Sequence, residues 1–246
     1  MRRRFFVDQV RNGQAEISGD EAKHLTRVLR VEAGQRYEIS DNRRVYLAEI
    51  ETARKEQVTF RTLEELPVIE PPVRMILCAA LIKFDHFEWM IEKATELGAV
   101  EIVPVVTVRT ERGLDKAAHK RFERWRRIGV EASQQSRRAH LPSIAGPTSW
   151  VDALGISANY RFALDEIETR PLSLALPAAR CAADTVALLI GPEGGWTEEE
   201  RAGFTAAGWV AASLGSSILR AETAALAALA VVSVSWQTQT VATLNS

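Results

Sequence analysis

Two loops late in the sequence carry the residues best suited to hold and process a small ligand. In the first, Gly191, Pro192, Glu193, Gly194 and Gly195 interrupt the apolar run Val186 to Ile190. In the second, Leu214 and Gly215 follow a shorter apolar run and lead through Ser216, Ser217, Ile218 and Leu219 to Arg220 and Glu222. Glycine lets a ligand approach backbone N–H and C=O groups directly, and Pro192 restricts the loop they form. A phosphate cradle is disfavoured. Glu198, Glu199 and Glu200 occupy the first turn of the helix that follows and would repel polyphosphate, no lysine follows the glycines, and there is no G-x-G-x-x-G spacing. The chemistry indicated is binding of a ligand without phosphate, beside groups able to stabilise an anion (Arg220) or take a proton (Glu193, Glu222). Taken alone, residues 191–195 read equally well as a tight strand-to-helix turn; a second glycine loop from the same sheet edge favours the ligand reading. For Arg220 and Glu222, placed in the first turn of a small-residue helix, the plainer alternative is a mutual structural contact or exposure at the helix start.

Leu164 ends another strand and supplies either a third wall for such a ligand or core packing. His24 and His119 lack a second ligand-like neighbour in sequence, so no metal site is expected. Cys78 and Cys181 form no CxxC pair, which excludes a disulfide framework or a metal cluster and suits a reduced cytosol. The N-terminal arginines precede no signal-like apolar core, and Arg220 and Glu222 interrupt the one alanine-rich stretch; neither export nor membrane insertion is expected. The net charge is −1, yet residues 109–138 carry 10 Lys and Arg against 4 Asp and Glu. Within them Ala118, Phe122, Trp125, Gly129 and Ala132 share one helical side, while Lys116, Lys120, Arg124 and Arg127 lie largely on the other. A solvated face is the commonest reason for such a pattern; this excess makes phosphate contact the better reading. Further nucleic-acid candidates are Arg27 and Arg30, a terminal arm of Arg2, Arg3 and Arg4, and the pair Arg137 and Arg138 beside His140.

The elements that must position these residues divide into two rhythms. Residues 1 to about 66 read as a compact β-rich barrel. Strand signals lie at Phe5–Val7, Tyr37–Ile39, Val45–Ile50 and Val58–Leu63, and a capping box, Ser18 with Glu21, opens one helix through Leu25 and Leu29. The acidic, proline-rich stretch Glu64 to Pro72 reads as a linker, dividing a domain at 1–68 from one at 73–246. Beyond it strand and helix alternate: strands at Met75–Ile82, Val100–Val106, Tyr160–Leu164, Val186–Ile190 and Trp209–Leu214, and helices through Phe87–Leu97, Asp115–Arg138 and Ile218–Trp236. A further helix begins at Thr197, capped reciprocally by Glu200. That alternation predicts an α/β domain with a mainly parallel sheet covered by helices.

IGPEGGWTEEE followed by LGSSILRAETAALAAL resembles the paired signature of the RsmE family, SPOUT-class enzymes that methylate the N3 imide nitrogen of a uridine in small-subunit ribosomal RNA. RRRFFV, HLTRVLR and FEWMIEKATELGAVEIVPVVTVRTER extend the resemblance over most of the chain. It implies a PUA-like RNA-binding barrel, a catalytic α/β domain with a deep trefoil knot, homodimerisation, and no metal. It also implies that Leu164, Gly191, Pro192, Gly194, Leu214, Gly215, Ile218 and Leu219 hold S-adenosylmethionine, with Arg220, Glu222 and Glu193 near the chemistry. The RNA partner is small-subunit ribosomal RNA or the assembled subunit. Three positions depart from the family pattern: Ser217 stands where arginine is usual, Ala221 where threonine is usual, and Arg137 where glycine usually precedes Arg138. The rival readings are a non-catalytic RNA-binding module and a nucleotide-binding enzyme.

Overall fold

The computed structural model describes residues 3–167 and 170–244, with side-chain surroundings as far as residue 237. Arg2 lies outside the described residues. The chain divides into two compact units, Met1–Glu70 with Ser133–Leu141, and Pro71–Ala132 with Pro142–Ser246.

The first unit contains β1 (Arg4–Phe6), β2 (Gln14–Ser18), α1 (Gly19–Arg27), β3 (Arg36–Ser40), β4 (Val45–Arg54) and β5 (Gln57–Leu66) in a five-stranded sheet of order β1-β3-β4-β5-β2. Register shifts at Leu47/Ala48 and Ile50/Thr52 curl the β4–β5 ladder, because a bulged strand bends and twists more strongly. The curled sheet is a half-barrel around Phe5, Leu25, Ile39, Ile50, Val58 and Phe60. Sequence periodicity missed β2, although Ala15 and Ile17 alternate inward from it. β5 also runs through Glu64 to Leu66, into the expected linker. The expected capping box on α1 does not form. Ser18 stays extended as the last β2 residue, paired with Gln57, and Glu21 accepts instead from Gln134 Nε2 at 2.7 Å.

The second unit begins with β6 (Arg74–Ala80), α2 (Phe84–Glu96), β7 (Ala99–Val106) and α3 (Leu114–Ser136), whose last turn counts with the first unit. It continues through β8 (Ser143–Ile144), β9 (Thr148–Ser149), α4 (Trp150–Leu154), β10 (Tyr160–Leu164), α5 (Leu172–Ala175), β11 (Thr185–Ile190), α6 (Glu198–Ala206), β12 (Val210–Ala212) and α7 (Ala221–Leu244). Seven parallel strands follow the order β12-β10-β11-β6-β7-β8, with β9 also on β7. Both faces are covered, so the central strands are apolar throughout rather than alternating. On β11, Val186, Leu188 and Ile190 join the core with α2 and α7, and Ala187 and Leu189 join the core with α4 and α6. α7 starts at Ala221 rather than Ile218: its first turn closes with Ala224 N–H on the Arg220 carbonyl at 2.8 Å. Arg220 therefore precedes the helix instead of lying in its first turn. Among the described residues no helix is long and apolar enough to cross a membrane, and no group of three or more His, Cys, Asp or Glu is placed to hold a metal.

Candidate functional site

β10, β11 and β12 lie near one another in the sheet, and their carboxyl ends release three loops around one cleft open to solvent. That is where open parallel sheets bind ligands. Leu164, Asp165 and Glu166 form the first wall, Gly191, Pro192, Glu193, Gly195 and Trp196 the second, and Leu214, Gly215, Ser217, Ile218 and Leu219 the third, with Ala221 and Ala224 of α7 behind. Trp196 ties two walls together. It is 2% exposed, and its Nε1–H donates to the Leu164 carbonyl at 2.8 Å. Gly195 adopts φ +69 and Gly215 φ +114, left-handed conformations that glycine adopts without strain.

The α6 capping box is present. Thr197 Oγ1 accepts from Glu200 N–H at 3.1 Å and Glu200 Oε2 accepts from Thr197 N–H at 3.0 Å. Glu200 is 2% exposed and its Oε1 accepts a further bond from Val108 N–H at 2.9 Å. The helix start is thus occupied by carboxylate, as the sequence argument against phosphate requires. Asp165 is neutralised by a bidentate pair with Arg201, at 2.8 and 3.1 Å, which raises the Arg201 pKa through the hydrogen bond. Among the described residues no lysine or arginine lines the cleft. Apolar walls, approachable backbone and the carboxylates of Glu166 and Glu193, neither in an ion pair among the described residues, fit a compact apolar-bodied ligand carrying positive charge, and not a polyphosphate.

Of the residues singled out by sequence, Leu164, Gly191, Pro192, Glu193, Leu214, Gly215, Ile218 and Leu219 line this cleft, and Gly194 does not. A Cβ on Gly194 would meet Arg109 Cδ at 3.1 Å. Arg220 is exposed just beyond Leu219. Glu222 is 7% exposed and pairs not with Arg220 but with His86 Nδ1 of α2, at 3.0 Å. His86, Arg109 and Trp196 are the residues that sequence reasoning missed. Trp196 and Arg109 lie inside the stretches IGPEGGWTEEE and FEWMIEKATELGAVEIVPVVTVRTER, and His86 directly precedes the second, yet none of the three was singled out there.

A family model described as an RNA methyltransferase domain matches residues 69–233, and one described as an RNA methyltransferase PUA domain matches 17–63. The ribosomal RNA small subunit methyltransferase E of Bacillus subtilis is 30% identical over 245 residues, spanning 94% of this chain and 95% of that protein. A protein of the same name from Synechocystis is 32% identical over 231 residues, 92% of this chain and 74% of its own length. The chain belongs to the ribosomal RNA small subunit methyltransferase E family. A solved member from Neisseria gonorrhoeae, bound to S-adenosyl methionine, matches with TM-score 0.86 at 27% identity over 96% of this chain and 98% of that one. A methyltransferase from Legionella pneumophila in complex with the same cofactor matches with TM-score 0.87 at 28% identity, over 96% and 98%.

For a family acting on RNA, the disposition of the basic residues matters. On α3, Lys116, Lys120 and Arg127 are exposed opposite buried Ala118 and Trp125. Arg124 is exposed but committed, its Nε donating to Glu88 Oε2 at 2.8 Å, and Arg121 donates to the same carboxylate at 3.2 Å. In the first unit Arg27 and Arg30 are exposed. Arg4 and Arg137 converge on Glu38, itself 7% exposed: Arg4 Nη2 lies 2.8 Å from Oε2, and Arg137 Nη2 donates to Oε1. Arg137 follows α3 at φ +57, the left-handed position where glycine ordinarily ends a helix. A non-glycine residue at such a position costs roughly 1–2 kcal/mol, and the Arg137 side chain pairs with Glu38. Arg138 is half-buried, and desolvation pushes its pKa down to about 10, so it remains a cation at neutral pH. His140 bridges the Asn42 carbonyl and Glu70 Oε1 at 3.0 and 3.1 Å.

Proposed function

We propose that this chain transfers a methyl group from S-adenosylmethionine to N3 of a uridine in small-subunit ribosomal RNA, as free RNA or in the assembled subunit. The observation that carries the reading is the cleft walled by three strand-end loops, with no lysine or arginine among its described lining residues, in a family whose solved members bind S-adenosyl methionine. Leu164, Gly191, Pro192, Leu214, Gly215, Ile218 and Leu219 would hold the cofactor, chiefly through backbone and apolar surface, while Gly194 belongs to the loop without lining the cleft. When bound, it supplies a methyl carbon already activated by the sulfonium. The chain's own task is to bring the uridine ring into line and to manage the imide proton. Arg220 stabilises the negative charge that develops as N3–H is lost, and Glu193, exposed on the cleft wall, accepts the proton directly or through water. Glu222, held by His86, serves as a relay.

The division at 1–68 and 73–246, the knot, a homodimer and a cytoplasmic location belong to the same reading. After β11 the chain passes beyond β10 to set β12 at the sheet edge, an order that threaded and unthreaded connections share. Ala225 and Ala228, small enough either to admit a second helix or to pack within one subunit, are packed inside the subunit at 0% exposure. A homodimer would therefore use outward α7 residues such as Val234, 58% exposed. Light scattering at micromolar concentration should give twice the chain mass; a monomer mass would count against the dimer.

Labelled methyl from S-adenosylmethionine should appear in small subunits as N3-methyluridine. Its absence, with cofactor and subunits both bound, would refute the reaction. RNA docking is assigned to Lys116, Lys120 and Arg127 of α3 and, within the first unit taken by itself, to exposed Arg27 and Arg30, with half-buried Arg138 and with Arg4 and Arg137 to the extent that Glu38 releases them. Arg124 belongs to the same face, but its tie to Glu88 makes it a poor probe. Neutralising Lys116, Lys120 and Arg127 together should lower the salt slope of subunit binding by roughly 2 to 3, as about 0.9 counterion is released per phosphate contact. An unchanged slope would leave α3 as a solvated face.

A further inference from the structure

We propose that Arg109 is a positioning residue of the cofactor cleft, holding the glycine loop in its binding conformation before the ligand arrives. The proposal rests on the reading that the cleft takes S-adenosylmethionine.

Arg109 lies in the connection from β7 to α3, far in sequence from the loop it touches. That connection is a fixed point. Thr107 N–H donates to Thr110 Oγ1 at 2.9 Å, Thr110 N–H donates to the Thr107 carbonyl at 3.2 Å, and Val108 N–H is anchored on buried Glu200. From this base the Arg109 side chain runs along the glycine loop. Its Nη1 donates to the Gly194 carbonyl, and Cδ stands 3.1 Å from where a Gly194 Cβ would be. The other end of the same peptide unit is also held, because Gly195 N–H donates to the Pro192 carbonyl at 2.8 Å. The Gly194–Gly195 peptide plane is therefore fixed at its C=O by Arg109 and at its N–H by Pro192.

Two consecutive glycines have no side chains to restrain them, and ordering them upon ligand binding would cost affinity. Gly195 must in addition keep φ +69 for the loop to line the cleft. Arg109 removes that freedom in advance. Its geometry also gives Gly194 a reason to be glycine: the missing side chain makes room for the arginine stem rather than for the ligand.

The test is calorimetry with S-adenosylmethionine on the full chain and on Arg109→Met, Gly194→Ala, the double variant and Arg109→Lys. Arg109→Met should raise the cofactor Kd about tenfold, a modest factor because the guanidinium is exposed. Gly194→Ala should do much the same by displacing the arginine stem. The double variant should be no weaker than the worse single one, because both remove one contact, and Arg109→Lys should recover part of the loss. Affinity for small subunits without cofactor should stay at wild type, which a general loss of structure would not allow. Wild-type cofactor affinity in Arg109→Met, multiplying losses in the double variant, or a parallel fall in subunit affinity would each overturn the proposal. If the unmodified chain fails to bind S-adenosylmethionine, the cofactor reading falls and takes this inference with it.

Discussion

Gly191→Val should weaken S-adenosylmethionine binding about a hundredfold, the loss of two effects of about 1–2 kcal/mol each. A Cβ at this position would stand 3.0 Å from Cε2 of Trp196 and 3.3 Å from Cζ2 and Nε1. The indole cannot yield cheaply. It is 2% exposed, packed on Trp150 and Phe204 with centroids at 5.1 and 5.9 Å, and pinned by its bond to the Leu164 carbonyl. Two responses remain, and each damages the cleft. Lifting the glycine loop moves its backbone toward the space where the ligand would sit. Tilting the indole strips the Leu164 carbonyl of its donor and loosens the first wall. Gly191→Ala should show the same effect more weakly, and folding stability should fall alongside. Calorimetry on the folded variants decides the matter: near-wild-type affinity in Gly191→Val would mean that the cleft is not organised around Trp196.

The sequence carried the parts of this site that are local. An apolar run ending in glycines marks β11 and its loop, Thr197 with Glu200 marks the start of α6, and the spacing of Ala118, Trp125 and Ala132 marks the buried side of α3. What it did not carry are the long-range partners that decide what each residue does. Gly194 answers to Arg109, 85 positions away, and Glu222 to His86, 136 positions away. Neither partner has a local pattern, since a lone exposed arginine or a histidine on a helix looks the same whether it is solvated or engaged. The failed capping box is the same lesson reversed. Ser18 and Glu21 have the right types and spacing, but β5 keeps Ser18 in the sheet and Gln134, 113 positions away, claims Glu21. Glu200 does form its box and serves the β7–α3 connection too, because one carboxylate has two oxygens to offer.

The largest loss of turnover is expected at Arg220. It stands between Leu219 and Ala221, both of which line the cleft, yet its own side chain is exposed, and no described carboxylate forms an ion pair with it. A guanidinium so placed is available to an incoming group that becomes negatively charged. The start of α7 lies beside it, where the helix dipole adds positive potential that the Glu222 carboxylate in the same turn partly offsets. Loss of the N3 proton leaves negative charge shared over the imide, and a single donor aimed at such charge is typically worth about 10²–10³ in rate. Arg220→Met is therefore expected to slow single-turnover methyl transfer about a hundredfold, with cofactor affinity unchanged, because no cofactor-holding group is removed. Arg220→Lys should fall between, keeping the charge but not the planar fork of donors. The loss should shrink as pH rises toward the range where the imide ionises without help, since the arginine is needed only to favour the anion. A single-turnover rate in Arg220→Met equal to wild type, at neutral pH and saturating cofactor, would place the stabilisation of that anion on another residue.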